Sequence, residues 1–399
     1  MESSLSPTSH RAPYSPALHG VTQVLLLLAL VLRPSGWRWL FFPPILAIIL
    51  YLVSRCTTGD LITDVGVGSA LFTQLVTALD YILLTDVQTE LRRVDQPKDQ
   101  VISGEPLRTR FKWALSLFLS PRGIGWAHAP SHLPPAPTKL SRSSFVVLKL
   151  RQCFVCILLE VFAYIQNASN PAFTSGRPLE EFSYFWRNMG LLGFGAAAYA
   201  RINFLYCVFA ALAVGVGVSE PREWPELFGG LLEAWSVSRF WRRTWHQLLR
   251  RPLCITATSI TRLLRLPRRS MVSSLVYLFS LFFVSGVVHG GGEYMMAEHG
   301  GLGAFKFFLL QAVAVAFEKL MVAFFGDLLS GTSTQDVTEH HKHAQPSRII
   351  LKLLGYIWTW SWFVWSIPYM LNPMITAGMF VNKNGKNLGR LFELWGQIA

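Results

Sequence analysis

The sequence predicts an all-α, polytopic integral membrane protein with about eight transmembrane helices. Hydrophobic residues make up 51% of the 399 residues and charged residues only 15%. The mean hydropathy is +0.36, outside the usual balance of a soluble domain. Apolar stretches close to the ~20 residues that a helix needs to cross a hydrocarbon core of ~30 Å recur along the chain. A net charge of +13 would by itself suit nucleic acid. The basic residues instead gather between apolar stretches, as juxtamembrane loops do, so no nucleic-acid partner is expected.

Residues 1–17 hold several Ser and Pro and little that can pack, which reads as a disordered tail ahead of one membrane-embedded domain, 18–399. The first apolar run, 18–32, has the length of a signal-peptide core. No small-residue cleavage pattern follows it and a second run, 39–53, comes at once, so it reads as a retained span. The next runs are 61–84, 145–166 with Arg151 and Glu160 embedded, 190–218 with Arg201 inside, and 271–288. Residues 302–325, holding Lys306 and Glu318, and 349–371 complete the set. No internal repeat is evident.

Basic residues crowd the connections 85–144 and 219–270, the second of which contains ten Arg, so both are expected on the cytosolic side. Two crossings then join them and place the connection 167–189, with its Asn167-Ala168-Ser169 glycosylation triplet, in the lumen. Near the C terminus Lys383, Lys386 and Arg390 favour the cytosol, and residues 372–381 are expected to re-enter the membrane. The basic loops suit a multi-pass protein of the endoplasmic reticulum.

Two segments carry chemistry. Wound at about 100° per residue, 239–250 puts Arg239, Arg242, Arg243, His246 and Arg250 on one face and Trp241, Trp245, Leu248 and Leu249 on the other. Such a helix lies at a bilayer surface, aromatic side in lipid and cationic side toward an anionic ligand. Further on, His289 closes the charge-free run 271–288, where a polar ring is costly and a functional reading is reasonable. On a continuous helix Leu278, Phe282, Ser285 and His289 share one face. The small Gly286 lets a neighbouring helix or substrate approach. Gly290, Gly291 and Gly292 are expected to end the helix in a tight bend, and Glu293 either bonds a histidine or lies in water.

Other signals point to no chemistry. Cys153 and Cys156 have CxxC spacing but sit among apolar neighbours, as buried small hydrophobes do. Asp60 and Asp64 are spaced DxxxD, yet the paired magnesium motifs of a diphosphate enzyme are absent. His340, His341 and His343 lie in a polar connection with Asp336, Glu339 and Lys342 and lack one-face ligand spacing, so no metal site is expected.

Four motifs carry a family resemblance: Asp80-Tyr81-Ile82-Leu83-Leu84 leading to Glu90-Leu91-Arg92-Arg93; Arg122-Gly123-Ile124-Gly125-Trp126; the block from Trp235 through Arg239-Phe240-Trp241-Arg242-Arg243-Thr244-Trp245-His246-Gln247; and Phe283-Val284-Ser285-Gly286-Val287-Val288-His289. With them the chain resembles the wax-synthase-like branch of the membrane-bound O-acyltransferases (MBOAT), in particular fungal members that acetylate terpenoid and meroterpenoid alcohols. The resemblance spans most of the chain beyond about residue 20 and implies an MBOAT-like fold, acetyl-CoA as co-substrate with no bound cofactor, and a catalytic role for His289.

Moving an acyl group from a thioester to an alcohol requires a base for the hydroxyl proton and a partner for the developing oxyanion. A neutral imidazole suits the first task, which makes His289 the candidate base with Ser285 positioned to orient its ring. His246 either holds the thioester carbonyl or positions the donor, or is a surface histidine. Arg239, Arg242, Arg243, Arg250 and Arg251 can pair with the phosphates of coenzyme A or with anionic lipid headgroups. Trp241 and Trp245 either anchor the segment at the interface or stack on the adenine. The expected activity is acetyl transfer from acetyl-CoA to a hydrophobic terpenoid-like alcohol. The alternatives are a long-chain wax ester synthase using fatty acyl-CoA and fatty alcohol and, from another class, a transporter of a lipophilic metabolite.

Overall fold

The computed structural model describes residues 11–97, 99–130, 133–297, 302–330 and 344–380. It is an all-α bundle with one two-residue strand pair. Strand β1 (Ala12–Pro13) and helix α1 (Pro16–Val31) open it, followed by α2 (Phe42–Arg55), β2 (Cys56–Thr57), α3 (Leu61–Ala78), α4 (Val87–Glu90) and α5 (Leu107–Phe118). The middle of the chain forms α6 (Arg142–Ser169), α7 (Pro171–Ser175), α8 (Tyr184–Gly215), α9 (Val237–Arg239) and α10 (Arg250–Leu263). Helices α11 (Met271–Met296), α12 (Gly303–Ser330) and α13 (Ala344–Thr376) close it.

Five helical segments among the described residues are long and apolar enough to cross a membrane: Arg38–Arg55, Leu61–Leu84, Tyr184–Gly215, Met271–Met296 and Gly303–Phe324. The chain is therefore a multi-pass integral membrane protein. Charges foreseen inside two of the apolar runs meet each other, as intramembrane charges must: Arg201 of α8 donates through Nε to Glu160 of α6 at 2.9 Å.

Of the predicted tail 1–17, residues 11–17 are described and are tied to the fold. Ala12–Pro13 pairs in parallel with Cys56–Thr57, and Arg11 Nη1 donates to the Met295 carbonyl at 2.6 Å, tying this end to the far end of α11. Asp60 and Asp64 cap and brace the start of α3. Asp60 accepts from Thr63 N at 2.9 Å, and the fully buried Asp64 accepts from Thr57 Oγ1 at 2.6 Å and Thr58 N at 2.7 Å. Such bonds satisfy the open amides of a helix N-terminus. The glycosylation triplet is not in an open connection either: Asn167 through Ser169 form the last turn of α6, with Asn167 Oδ1 buried.

Two apolar cores flank α11. One gathers α1, α2, α3 and α5 around Leu30, Ile45, Leu52 and Leu71; the other gathers α7, α9, α11, α12 and α13 around Phe173, Phe282, Phe308 and Ile367. The glycine triplet does not end α11, which runs on to Met296. Its glycines form a close crossing with α3: a Cβ on Gly68 would stand 2.5 Å from the Gly291 carbonyl oxygen and 2.8 Å from Gly292 Cα. Small residues permit this approach of two backbones where lipid supplies no hydrophobic drive between helices. Gly286 does the same toward α12, where its Cβ would meet Phe305 Cα at 3.1 Å.

Glu293, one turn beyond His289, has no histidine partner among the described residues and is buried. Its buried carboxylate accepts from Gly303 N at 3.1 Å and Ala304 N at 2.7 Å, capping α12 from α11. At the other end of the chain, residues 372–376 continue α13 and do not re-enter separately. Asn372 Oδ1 accepts from Leu179 N at 2.9 Å and its Nδ2 donates to Glu180 at 2.5 Å. The basic residues 383, 386 and 390 lie outside the described residues, as do His340, His341 and His343.

Candidate active site

The block 236–250 is not one amphipathic helix. Ser236 caps α9 by accepting from Arg239 N at 3.1 Å, and Glu318 of α12 adds a second cap, accepting from Val237 N at 2.6 Å and Ser238 N at 2.9 Å. The same carboxylate accepts from Trp358 Nε1 of α13 at 2.9 Å. Beyond α9 the chain widens into a π-helical turn over Phe240–Thr244 and then breaks, with Trp245 extended at ψ 152°. Gln247 fixes the break. Its Nε2 donates to the carbonyls of Trp241 at 3.0 Å and Trp245 at 2.8 Å, and its Oε1 accepts from Arg250 Nη1 at 3.0 Å. A wider turn followed by a bend rotates every later residue off the straight-helix wheel.

His246 consequently turns inward and leaves the predicted cationic face. Its ring packs edge-on to Phe228, 5.8 Å between centroids, and beside Trp245 at 5.4 Å, with Nδ1 buried and unbonded among the described residues. Burial pushes its pKa down to about 3, helped by the positive charge of a protonated His289 and of Arg122, so the ring is neutral at physiological pH.

The bend and α11 enclose a cavity of about 380 Å³. From α11 it is lined by Leu278, Phe282, Ser285 and His289, the face set out by the helical spacing. His289 stacks on Phe308 of α12, with ring centroids 4.7 Å apart and planes within 14°. Ser285 reaches the cavity too, but its hydroxyl donates to the Leu281 carbonyl at 3.1 Å, and no hydrogen bond joins it to His289 among the described residues.

From the bend come Trp241, Arg242, Trp245, His246 and Arg250, all on the cavity wall. Arg239 and Arg243 are not on it. Both pair with Glu233, Arg243 Nη1 at 3.5 Å, and Arg239 also lies over the Trp235 ring at 4.5 Å. Arg251 is likewise engaged elsewhere, holding the fully buried Asp80 at 3.0 Å and bracing α10 against the end of α3. The cationic wall is thus Arg242 and Arg250, joined from α12 by Lys319.

Two cavity residues, Lys319 and Phe308, escaped the sequence, as did the capping role of Glu318. Lys319 and Glu318 sit within an apolar run, and a charge in such a place is a usable signal. Phe308 gave none, because an aromatic in an apolar helix is ordinary. Trp241, expected either to anchor at the lipid interface or to stack on the adenine, packs inside an aromatic cluster with Phe282, Phe308 and Phe363 at 5.6–6.1 Å. Among the described residues no group of three or more His, Cys, Asp or Glu could hold a metal ion.

Comparison with known proteins bears on the same segments. The profile of the Membrane bound O-acyl transferase family matches residues 224–310, which contain the bend, the whole of α11 and Phe308. Acetyltransferase eriL of Hericium erinaceus is 33% identical over 390 residues, covering 93% of each chain. Acetyltransferase ple2 of Rhodocybe pseudopiperita is 33% identical over 372 residues, 92% of each. O-Mevalon transferase macI of Penicillium terrestre is 30% identical over 75% of this chain and 70% of its own. No solved structure matches the chain. Identity sustained across nearly the whole length of two acetyltransferases, with a family profile lying over the cavity wall, shows that the chain is an acyltransferase and belongs to the membrane bound O-acyl transferase family.

Proposed function

We propose that the protein transfers the acetyl group of acetyl-CoA to a hydroxyl of a hydrophobic terpenoid- or meroterpenoid-class alcohol, with His289 as general base. One observation carries this reading: a single cavity of about 380 Å³ is bordered by the α11 imidazole and by Arg242, Arg250 and Lys319. The cations suit the phosphates of coenzyme A, and His246 and Trp245 line the same cavity, where the thioester would pass. The alcohol oxygen attacks the thioester carbonyl carbon as its proton passes to His289. The tetrahedral intermediate collapses with cleavage of the C–S bond, and the proton moves on to the thiolate, leaving ester and free thiol. No acyl-enzyme is needed.

A cavity at the small end of ligand clefts, which run from about 300 to 1,000 Å³, favours a short acyl group sharing the space with the alcohol over the long-chain wax ester alternative. Transport without covalent change finds no support in relatives that are named transferases. We place the donor's entrance on the cytosolic side of an endoplasmic-reticulum membrane, where the Arg-rich connections belong, and let the alcohol arrive through the bilayer. The shorter apolar helix Pro16–Val31, with α6 and α13, would complete eight crossings.

The test is to express the protein in microsomes and offer acetyl-CoA or palmitoyl-CoA with a panel of terpenoid alcohols. Ester should form only with acyl-CoA present, faster from the acetyl donor, and should be abolished in a normally inserted His289→Ala protein. Full activity of that variant would remove His289 as the base.

A further inference from the structure

A second cavity, of about 510 Å³, lies at the turn between α10 and α11 and shares no lining residue with the active cavity. Thr258, Thr261 and Arg262 of α10, Arg265 and Arg268 of the turn and Ser273 of α11 line it. Nothing negative offsets its three guanidinium groups. Residues 234–292 contain no Asp or Glu, and Arg262, Arg265 and Arg268 have no ion pair or side-chain hydrogen bond among the described residues. Arg239, Arg243 and Arg251 of the same connection differ, each being held by a carboxylate. A concave site lined by cations of one sign concentrates anions. Thr258 Oγ1 and Thr261 Oγ1 donate to the carbonyls of Cys254 and Thr258 at 2.7 and 2.8 Å, so the arginines are the free donors there.

The turn gives up backbone ease to present one of them. The Arg265 amide donates to the Arg262 carbonyl at 2.9 Å and the Leu266 amide to the Thr261 carbonyl at 3.2 Å, closing α10 in a Schellman motif with Arg265 left-handed at φ 51°. Glycine is the residue that takes this position freely; arginine there brings a guanidinium to the cavity. The turn also stands at the edge of the bilayer, since α11, one of the five spans, begins at Met271. Beside the cavity residues in the chain, Leu263 and Met271 are 82% and 63% exposed and Leu264 and Val272 are exposed too. A water-soluble phosphate compound has nothing to set against these side chains, whereas a lipid has its acyl chains. We propose that the α10–α11 turn binds an anionic phospholipid of the cytosolic leaflet, its headgroup phosphate on Arg262, Arg265 and Arg268 and its chains along Leu263, Met271 and Val272. The headgroup would then tie together two helices that also wall the active cavity, through Leu253 and Cys254 of α10 and Tyr277 and Leu278 of α11.

Coenzyme A carries the same phosphate chemistry, and the test separates the two sources without relying on catalysis. Full-length protein in neutral detergent is titrated into fluorescent short-chain phosphatidic acid, and binding is read by anisotropy. Wild type is compared with Arg262→Gln/Arg265→Gln/Arg268→Gln and with Arg108→Gln/Lys112→Gln, which removes two exposed charges from α5. All five positions are exposed, and size-exclusion chromatography checks that the variants stay folded. A charge-assisted hydrogen bond is worth about tenfold in affinity, so the triple variant should raise Kd at least about 10²-fold. The α5 variant should bind as wild type does, and excess free coenzyme A should leave the lipid in place. Wild-type affinity in the triple variant, or an equal loss in the α5 variant, would overturn the site. So would measurements on wild type alone that show no saturable binding or displacement of the lipid by coenzyme A, the latter assigning the cavity to the soluble cosubstrate.

Discussion

Gly68→Ala tests whether the crossing of α3 and α11 sets the position of His289. The added methyl would lie 2.5 Å from the Gly291 carbonyl oxygen, 2.8 Å from Gly292 Cα and 3.0 Å from the Gly291 carbonyl carbon. A carbon–oxygen contact ordinarily rests at ~3.3 Å or more, and every atom met is backbone, so no rotamer change relieves it. The helices must part by about 1 Å, at a point only two residues beyond His289. Overpacking of this kind costs about 1–3 kcal/mol, partly offset by the preference of about 1 kcal/mol of a helix for Ala over Gly. A displacement of about 1 Å at a reacting group lowers the rate about 10²-fold. Gly66→Ala is the matched control, since a Cβ there meets nothing within 4 Å. Thermal stability of the detergent-solubilised protein by size-exclusion chromatography, with kcat for acetyl transfer, reads both effects. Gly68→Ala should be less stable and far slower, and Gly66→Ala should match or exceed wild-type stability at full rate. Equal behaviour of the two variants would refute the close crossing.

The arginines divide by their partners. Arg250→Ala, and to a smaller degree Arg242→Ala, should raise KM for acetyl-CoA about tenfold, the scale of one charge-assisted hydrogen bond, with little change in KM for the alcohol. Arg243→Ala should do much less, because that guanidinium sits on Glu233 and off the cavity wall; the reverse order would place the phosphates elsewhere. Stability should fall in acid. Burial holds His246 at a pKa of about 3, and burial with the charge of Arg251 holds His128 at about 4. Below the unfolded value near 6.5 the unfolded chain therefore binds protons that the folded one does not. Stability is complete above about pH 6.5 and declines toward those lower values, by about 2 kcal/mol at about pH 5 for the His246 ring and by less for the partly exposed His128, whose charge water screens. Thermal denaturation at pH 7.5 and pH 5 should show the decline, and His246→Asn should lessen it; an identical pH dependence in wild type and variant would contradict the burial of that ring.

The sequence was most informative where helical spacing acts alone. The face Leu278, Phe282, Ser285 and His289 lines the cavity as spaced, because α11 is a regular helix through that stretch. The embedded charges Glu160 and Arg201 are visible in their apolar runs, but that they pair with each other is not. The bend at Trp245 stayed hidden because its causes are not periodic. It depends on Gln247 taking two backbone carbonyls, and the α9 turn before it on Glu318, 81 residues away from Val237, taking two amides. A helical wheel assumes none of this, so it put His246 outside and Trp241 in lipid. The glycine triplet failed for a related reason. Its pattern resembles a local turn, whereas its use is a crossing with Gly68 on a helix distant in sequence.

The most direct measurement is the structure of the protein in lipid nanodiscs with a non-hydrolysable acetyl-CoA analogue. The mechanism predicts the acyl carbonyl inside the cavity, its carbon beside the His289 imidazole, and the phosphates against Arg242 and Arg250. An analogue seated with its carbonyl on the far side of α11, or with its phosphates on a surface that no tunnel joins to residue 289, would contradict it.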